Sequence, residues 1–269
     1  LFSLIIPTYN SANILKFTLD SLLVQTIGVD KFEVIIVDDG SSDNTQQVVE
    51  SYADKLSIQY FYQSDQGFRV AKARNTGIDN ANGEYILFID SGVVVEKDLI
   101  SQHYQAHQTG SNDIYIGFCY GFEEYAVSNN HFDSLLKQGE FEQLFSQVRA
   151  KPETSDCRKK LLLDIGHYRG FEQYPWLMFW GGHASCAKAT LTAVAGFDEN
   201  FVRWGGEDVE LGLRLHLNGC TFALLEDAGA YPPPPPKAET AGEATASNNC
   251  VYINDKHRLD ITHRMLNEN

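Results

Sequence analysis

The sequence predicts an α/β fold with a mostly parallel central sheet flanked by helices. Short apolar runs alternate with helix-periodic stretches through the first third of the chain, which is how βαβ units read. Two of the runs, FEVIIV at 32–37 and YILFI at 85–89, are continuous, as expected of strands covered on both faces. At 269 residues, 43% hydrophobic and 21% charged, the chain has material for one large core or two small ones.

Taken in order, residues 2–6 form an apolar strand stopped by Pro7. Residues 13–25 place Ile14, Phe17, Leu19, Leu22 and Leu23 at helical spacing. A strand follows at 32–37, then a helix at 43–52 with Asp43 as candidate N-cap. Next come a strand at 57–62, a helix at 69–80, a strand at 85–89 and a helix at 96–107. Beyond these, 114–122 reads as strand and 132–149 as helix interrupted at Gly139. Residues 151–160 are polar loop, and 176–187 are loop plus strand. A helix at 207–218 is stopped by Gly219, and 222–225 is a short strand. Pro232 to Pro236 is an unbroken proline run that calls for polyproline II. The following KAETAGEATAS stretch has little apolar surface, so 232–247 is expected to be a flexible loop.

The balance of 21 Lys+Arg against 36 Asp+Glu gives a formal charge of -15. That field repels phosphate polymers, so no nucleic-acid partner is expected. No apolar run approaches the roughly 18 residues of a membrane helix, so no integral membrane segment is expected. The opening LFSLIIPTYN lacks a basic leader and a small-residue cleavage site, and reads as a strand rather than a signal peptide. The five cysteines are an odd number with no CxxC spacing, which argues against a zinc site or disulfide framework and fits a reducing, cytoplasmic setting.

Parallel sheets bind ligands beyond the carboxyl ends of their strands. After the second strand stands VDDGSSD, where Asp38 or Asp39 either accepts from a nucleotide's base N–H or ribose hydroxyl or caps the next helix. After YILFI, Asp90 emerges from a buried strand before Ser91 and Gly92. It either ends a turn or holds Mg²⁺ or Mn²⁺, which take carboxylate, water and phosphate oxygens. In QGFRVAKARNTGI at 66–78, Arg69 and Arg74 are candidates to face a pyrophosphate, against a solvated helix face; Lys72 is the weakest of the three cations. In GFDENFVRWGGEDVELG at 196–212, Glu207 and Asp208 open a helix whose dipole stabilises anions. An ionised carboxylate there can take a proton from a hydroxyl as a general base. Trp204 offers a flat face on which a sugar ring could stack. His103 and His107 are four apart on a helix, but no third ligand supports a metal. Met178 and its aromatic neighbours read as core. The glycine stretches match neither GxGxxG nor GxxxxGK[ST], which argues against Rossmann and P-loop sites.

Together these segments resemble glycosyltransferase family 2, with its GT-A nucleotide-diphospho-sugar transferase fold. The resemblance rests on SLIIPTYN at 3–10, VIIVDDGSSD at 34–43, ARNTGI at 73–78 and YILFID at 85–90. GFDENFVRWGGEDVE is similar to the acceptor-side motif of chondroitin-polymerase-type and β-1,4-galactosyltransferase-type enzymes, and GFRVAKARN resembles the polymerase-type branch. Residues 1–110 and 178–227 carry the likeness; 111–177 match nothing recognised.

The resemblance implies inverting transfer of a hexosyl or N-acetylhexosaminyl group from a UDP-sugar to a hydroxyl of a saccharide, natural-product or peptide acceptor. Residues 1–110 would form the nucleotide-sugar-binding half and 111–269 the acceptor-binding half of one continuous domain. Pro7, Thr8 and Asn10 would lie along the nucleotide, and Asp38 or Asp39 would contact uracil or ribose. Gln66, Arg69 and Arg74 would approach the base or diphosphate. Asp90, with Ser91 beside it, would hold a divalent metal. Asp208 would be the general base, with Glu207 binding sugar or acceptor hydroxyls. Trp204, Gly205 and Gly206 would shape the sugar pocket. Two departures stand out. The family's Asp-x-Asp is here Asp90-Ser91-Gly92, and no histidine follows Ala230-Tyr231, where Pro232 stands instead. His257 or His263 could substitute. The metal is therefore expected to bind weakly. The alternatives are a catalytically silent nucleotide-sugar-binding protein of the same fold and, from another class, a nucleotide-dependent oxidoreductase, which lacks its glycine fingerprint.

Overall fold

The computed structural model describes residues 1–121, 130–151, 156, 158, 174–232 and 242–267. Its strands are β1 (Phe2–Thr8), β2 (Phe32–Asp38), β3 (Ile58–Tyr62), β4 (Tyr85–Ile89), β5 (Val94–Val95), β6 (Ile114–Cys119), β7 (His183–Ala187) and β8 (Phe222–Tyr231). They form one sheet in the order β3-β2-β1-β4-β7-β6-β8-β5. The helices are α1 (Ala12–Leu23), α2 (Thr45–Glu50), α3 (Val70–Asn80), α4 (Leu99–Thr109), α5 (Asn130–Gln138), α6 (Phe141–Ala150), α7 (Lys188–Ala193), α8 (Glu207–Leu217), α9 (Gly242–His257) and α10 (Asp260–Asn267).

The continuous apolar runs become strands covered on both faces. Ile5, Ile35 and Val37 pack with Ala71 and Ala73 of α3 and with Trp176, Phe179 and Leu211 on one face. Leu4, Ile6, Val34 and Ile36 pack with Leu15, Leu19 and Leu22 of α1 on the other. Burying each large aliphatic side chain contributes roughly 1.5–3 kcal/mol, so the run that specifies the strand also specifies its central place. A smaller cluster joins α5 and α6 to Val94 and Tyr231.

The sheet's topology builds the rim where the site lies. β1 pairs in parallel with β2 and β4, and β2 with β3, with Thr8 opposite Asp38 and Asp38 opposite Tyr62. The carboxyl ends of these strands therefore share one edge. β7 runs antiparallel to β4, with Ile89 opposite His183. That reversal brings Gly181 and Gly182, just before β7, beside Asp90, just after β4.

Several boundaries differ from the sequence reading. The helix expected at 43–52 spans Thr45–Glu50 with Asn44 as its cap residue. Asp43 stands one residue earlier, accepting from the Thr45 N–H and hydroxyl and from the Ala12 N–H. The helix expected from residue 96 begins at Leu99. Gly139, at φ 71, separates α5 from α6, as its interruption of the pattern predicted. The short strand at 222–225 runs on to Tyr231. Exposed Glu226 and Asp227 break its apolar run, and the chain passes them through a register shift opposite Gly117/Phe118. It then pairs with the two-residue β5. The flexible loop expected over 232–247 gives way to helix at Gly242; residues 233–241 lie outside the described residues. So do residue 122 of the expected strand and most of the expected loop at 151–160. Met178 is core, as expected. Among the described residues no helix is long and apolar enough to cross a membrane.

Candidate active site

The first part of the site surrounds Asp39, one residue past β2. Its backbone N–H donates to Thr8 O at 2.8 Å, which holds the turn against the end of β1. Its carboxylate accepts from Gln63 Nε2 at 2.6 Å and from the Arg69 N–H at 2.8 Å. Burial pushes the Asp39 carboxyl up, and the Gln63 and Arg69 donors pull it down less than burial raises it. Asp38 is different. Its Oδ1 accepts from the N–H groups of Gly40 and Ser41, and its Oδ2 accepts from the Tyr60 hydroxyl at 2.7 Å. Asp38 is 1% and Asp39 7% exposed, and the two differ in that Asp38 takes its donors from its own turn and Tyr60. Asn10, at φ 47, accepts the Ser42 N–H on Oδ1 and donates its own N–H to the Ser41 hydroxyl. Gln66 is exposed and accepts from Arg69 Nη1 at 3.3 Å. Pro7 is buried within β1.

The second part is built on one guanidinium. Arg74, on α3, donates through Nη2 to Asp90 Oδ1 at 2.9 Å and through Nη1 to Glu207 Oε1 at 2.8 Å. The same cation stands 5.3 Å from the Phe197 ring centroid. Its close fit requires Gly181, where a β-carbon would come within 2.6 Å of Arg74 Cζ. Arg74 is 3% exposed, and the structure pairs it with Asp90 and Glu207 as a buried bridge. Burial opposes its charge, but Asp90, Glu207 and Asp208 outweigh burial and keep it ionised. The bridge joins the acid after β4 to the acids that open α8.

Glycines set that opening. Gly205 and Gly206 have φ 95 and 89, a left-handed pair that other residues adopt at a cost. The turn delivers Glu207 and Asp208 into the first turn of α8. Asp208 is partly exposed and accepts from the Gly181 N–H at 2.9 Å and the Val209 N–H at 2.8 Å. Burial and then the Glu207 charge push Asp208 up to about 7, with Arg74 and the two N–H donors opposing. A carboxyl near neutrality has the proton affinity that a general base needs. Trp204 is 59% exposed, and Ser91 is half-buried beside Asp90.

Unpartnered atoms mark the same places. Among the described residues, the buried side-chain atoms lacking any hydrogen-bond partner are Thr8 Oγ1, Gln63 Oε1, Arg69 Nε, Arg74 Nε and Glu207 Oε2. The first three belong to residues grouped around Asp39, and the last two to the Arg74–Glu207 pair. Each such atom costs about 1–3 kcal/mol when left unmade, and native proteins keep few of them. Gln63 is absent from the sequence expectations; its position one residue past β3, at the carboxyl edge of the sheet, is the available signal. Exposed Tyr9, whose hydroxyl donates to Asp65 at 3.2 Å, was missed in the same way.

Asp90 is the one expected metal ligand. Its side chain is 47% exposed, and Arg74 occupies Oδ1. A β-carbon on Gly182 would sit 3.0 Å from Oδ2, so that oxygen lies along an open backbone. No group of three His, Cys, Asp or Glu residues among those described could hold a metal. The donor set fits a hard cation whose other ligands are water and phosphate oxygens. Of the two substitute histidines, one is paired elsewhere. His257 Nε2 bonds Glu210 Oε1 at 2.9 Å, and His263 is exposed on α10.

His103 and His107 serve structure rather than metal. A carbonyl only accepts, so His183 Nδ1 donates to Phe118 O and its Nε2 accepts from His103 Nε2–H at 2.9 Å. His103 Nδ1 then accepts from the Ser185 hydroxyl, which accepts from His107 Nε2–H. Each ring has one defined neutral tautomer in this chain.

Residues 3–174 match the family described as glycosyl transferase family 2, and residues 166–232 match the N-terminal domain of galactosyltransferase. A validoxylamine A glucosyltransferase of Streptomyces hygroscopicus subsp. jinggangensis is 35% identical over 260 residues, which are 96% of this chain and 61% of that protein. Chondroitin synthase of Escherichia coli is 31% identical over 259 residues, 92% of this chain and 37% of that protein. The chain thus spans about three fifths of the first and a smaller share of the second. Among solved structures, S. aureus TarS 1-349 in complex with UDP-GlcNAc superimposes with a TM-score of 0.67 at 22% identity, covering 95% of this chain and 66% of that one. The mannosyltransferase PcManGT from Pyrobaculum calidifontis, in complex with GDP-Man and Mn2+, gives 0.63 at 17% identity, covering 95% and 63%.

Proposed function

This chain belongs to glycosyl transferase family 2 and has the GT-A fold, and from that premise we propose that it transfers a sugar from a UDP-sugar to an acceptor hydroxyl with inversion. The observation that carries the reading is the grouping of unpartnered buried atoms at two adjoining places. One, around Asp39, suits the polar edge of a nucleoside; the other, at Glu207, suits sugar hydroxyls. Relatives named for glucosyl transfer and chondroitin synthesis support a saccharide or small natural product as acceptor.

In this reading residues 1–110 bind the nucleotide sugar and 111–269 the acceptor. Thr8, Asn10, Asp39, Gln63, Gln66 and Arg69 line the nucleotide. Asp90 would hold a divalent metal, which when bound neutralises charge on the diphosphate. Arg74 keeps Asp90 and Glu207 fixed relative to each other. Glu207 Oε2 accepts from a sugar hydroxyl. Asp208, ionised, takes the proton of the attacking hydroxyl. The acceptor oxygen bonds to the anomeric carbon, the carbon–oxygen bond to the diphosphate breaks, and UDP leaves with that electron pair. Trp204 covers one face of the sugar.

Calorimetric titration with UDP, with and without Mn²⁺, tests the reading. The expected result is binding that tightens with Mn²⁺. Absence of binding in both conditions would overturn the UDP-sugar assignment.

A further inference from the structure

Helix α9 lies beyond both family matches, which end at residues 174 and 232, yet it grips the loop that leads into Glu207 and Asp208. Asn249 Nδ2 lies 3.3 Å from Arg203 O, 3.2 Å from Trp204 O and 2.5 Å from Gly205 O. Carbonyls only accept, so the amide nitrogen must face them. One side chain thereby collects three successive carbonyls of a loop whose two glycines leave it little rigidity of its own.

Four further side chains of α9 fall at helical spacing from Asn249 and reach the same segment. Ile253 is buried, with Cδ1 3.4 Å from where a β-carbon on Gly206 would stand. The Tyr252 ring packs edge-on against Phe201, and its hydroxyl donates to Asp198 at 2.8 Å. Lys256 bridges Asp198 and Glu210, and His257 reaches the same Glu210. Glu210 is fully buried, paired with Arg214 and four residues from the end of the glycine turn. The helix is therefore fixed independently of Asn249. Removing that amide frees the loop without releasing the helix.

We propose that Asn249 is a positioning residue for the acceptor side of the site. It holds the carbonyls of Arg203, Trp204 and Gly205 in one register, and so sets where Trp204 stands and how Glu207 and Asp208 enter α8. The inference rests on the functional reading above, which makes this loop a wall of the sugar pocket.

The test is Asn249→Asp, which keeps the shape, removes both N–H donors and turns an anion toward three carbonyls; Asn249→Ala is the second variant. Three readouts separate the claims. Acrylamide quenching of tryptophan fluorescence, with Trp204→Phe as the reference for the Trp204 signal, reports the loop without any substrate. UDP titration reports the nucleotide side, and acceptor-dependent UDP release reports the acceptor side. The expected result in both variants is altered Trp204 quenching, UDP affinity within about twofold of wild type, and an acceptor KM raised about tenfold, a loss in keeping with one strong hydrogen-bonded anchor. Unchanged Trp204 quenching in both variants would overturn the proposal, as would equal losses of UDP affinity and acceptor KM. If wild-type protein binds no UDP, the functional reading fails, while the quenching still decides whether Asn249 sets the loop.

Discussion

Two pairs of adjacent acids, Asp38–Asp39 and Glu207–Asp208, look alike in the sequence and are treated differently by the fold. Asp38 receives three donors from its own turn and from Tyr60. Glu207 receives one nitrogen of Arg74 and keeps Oε2 without a partner in a buried position. Donor supply thus distinguishes Asp38 from Glu207, whereas Asp208 keeps two backbone N–H donors and is set apart by its raised proton affinity. A buried carboxylate left short implies a ligand that completes it.

The comparison can be broken most forcefully at Arg74. Arg74→Ala leaves Asp90 and Glu207 facing each other with no cation, and loss of one partner from a buried pair costs about 3–5 kcal/mol. Chemical denaturation should show a loss of that size, and Arg74→Lys should recover part of it. A loss within ordinary surface range would mean the bridge carries little. At the structural pair, Asp38→Ala orphans two N–H groups and the Tyr60 hydroxyl, and should cost about 1–3 kcal/mol. UDP affinity of the folded fraction should remain near wild type; a specific loss of nucleotide binding would make Asp38 a nucleotide contact.

The histidine chain extends the same counting rule to a network that balances only when neutral. Burial lowers His107 to about 4; burial and then Arg158 lower His183 to about 3. Burial and then its two histidine neighbours hold His103 well below the ordinary range. Unfolded histidines protonate near about 6.5. As pH falls from there toward 4 the unfolded chain binds the protons first, so stability falls across that window. Melting temperature should drop by several degrees between those limits, with a shallower slope in His107→Gln. An identical slope in that variant would contradict the tautomer chain. The smallest effect is expected at Tyr60→Phe, which removes one donor to Asp38 and should cost about 0.5–1.5 kcal/mol by thermal denaturation.

The donor side was legible because strands buried on both faces leave continuous apolar runs, and their ends can be read to within a residue or two. Asp39, Asp90, Glu207 and Asp208 follow from such ends and from the double glycine. Arg74 was legible as a charge but not as a bridge, because burial between Asp90 and Glu207 depends on residues 133 apart in sequence meeting at one guanidinium. The far half of β8 was hidden by Glu226 and Asp227. Helix α9 was hidden by composition. Its start, at residues 242–247, is alanine, glycine, threonine, glutamate and serine, and its anchoring comes from single contacts of Asn249, Tyr252, Ile253 and Lys256 rather than from an apolar stripe. Gln63 and Asn249 act through side-chain amides that no motif announces.

The most direct test of the account sets Asp208→Asn against the wild type, with release of UDP from UDP-sugars in the presence of acceptor measured beside UDP affinity. The account predicts a fall in turnover of about 10²–10⁴-fold, the usual worth of a general base, with UDP affinity within about twofold. In the wild type, turnover should also rise with pH through the Asp208 titration near 7, a limb absent from the variant. Near-normal turnover in Asp208→Asn, or loss of UDP binding in step with turnover, would contradict it.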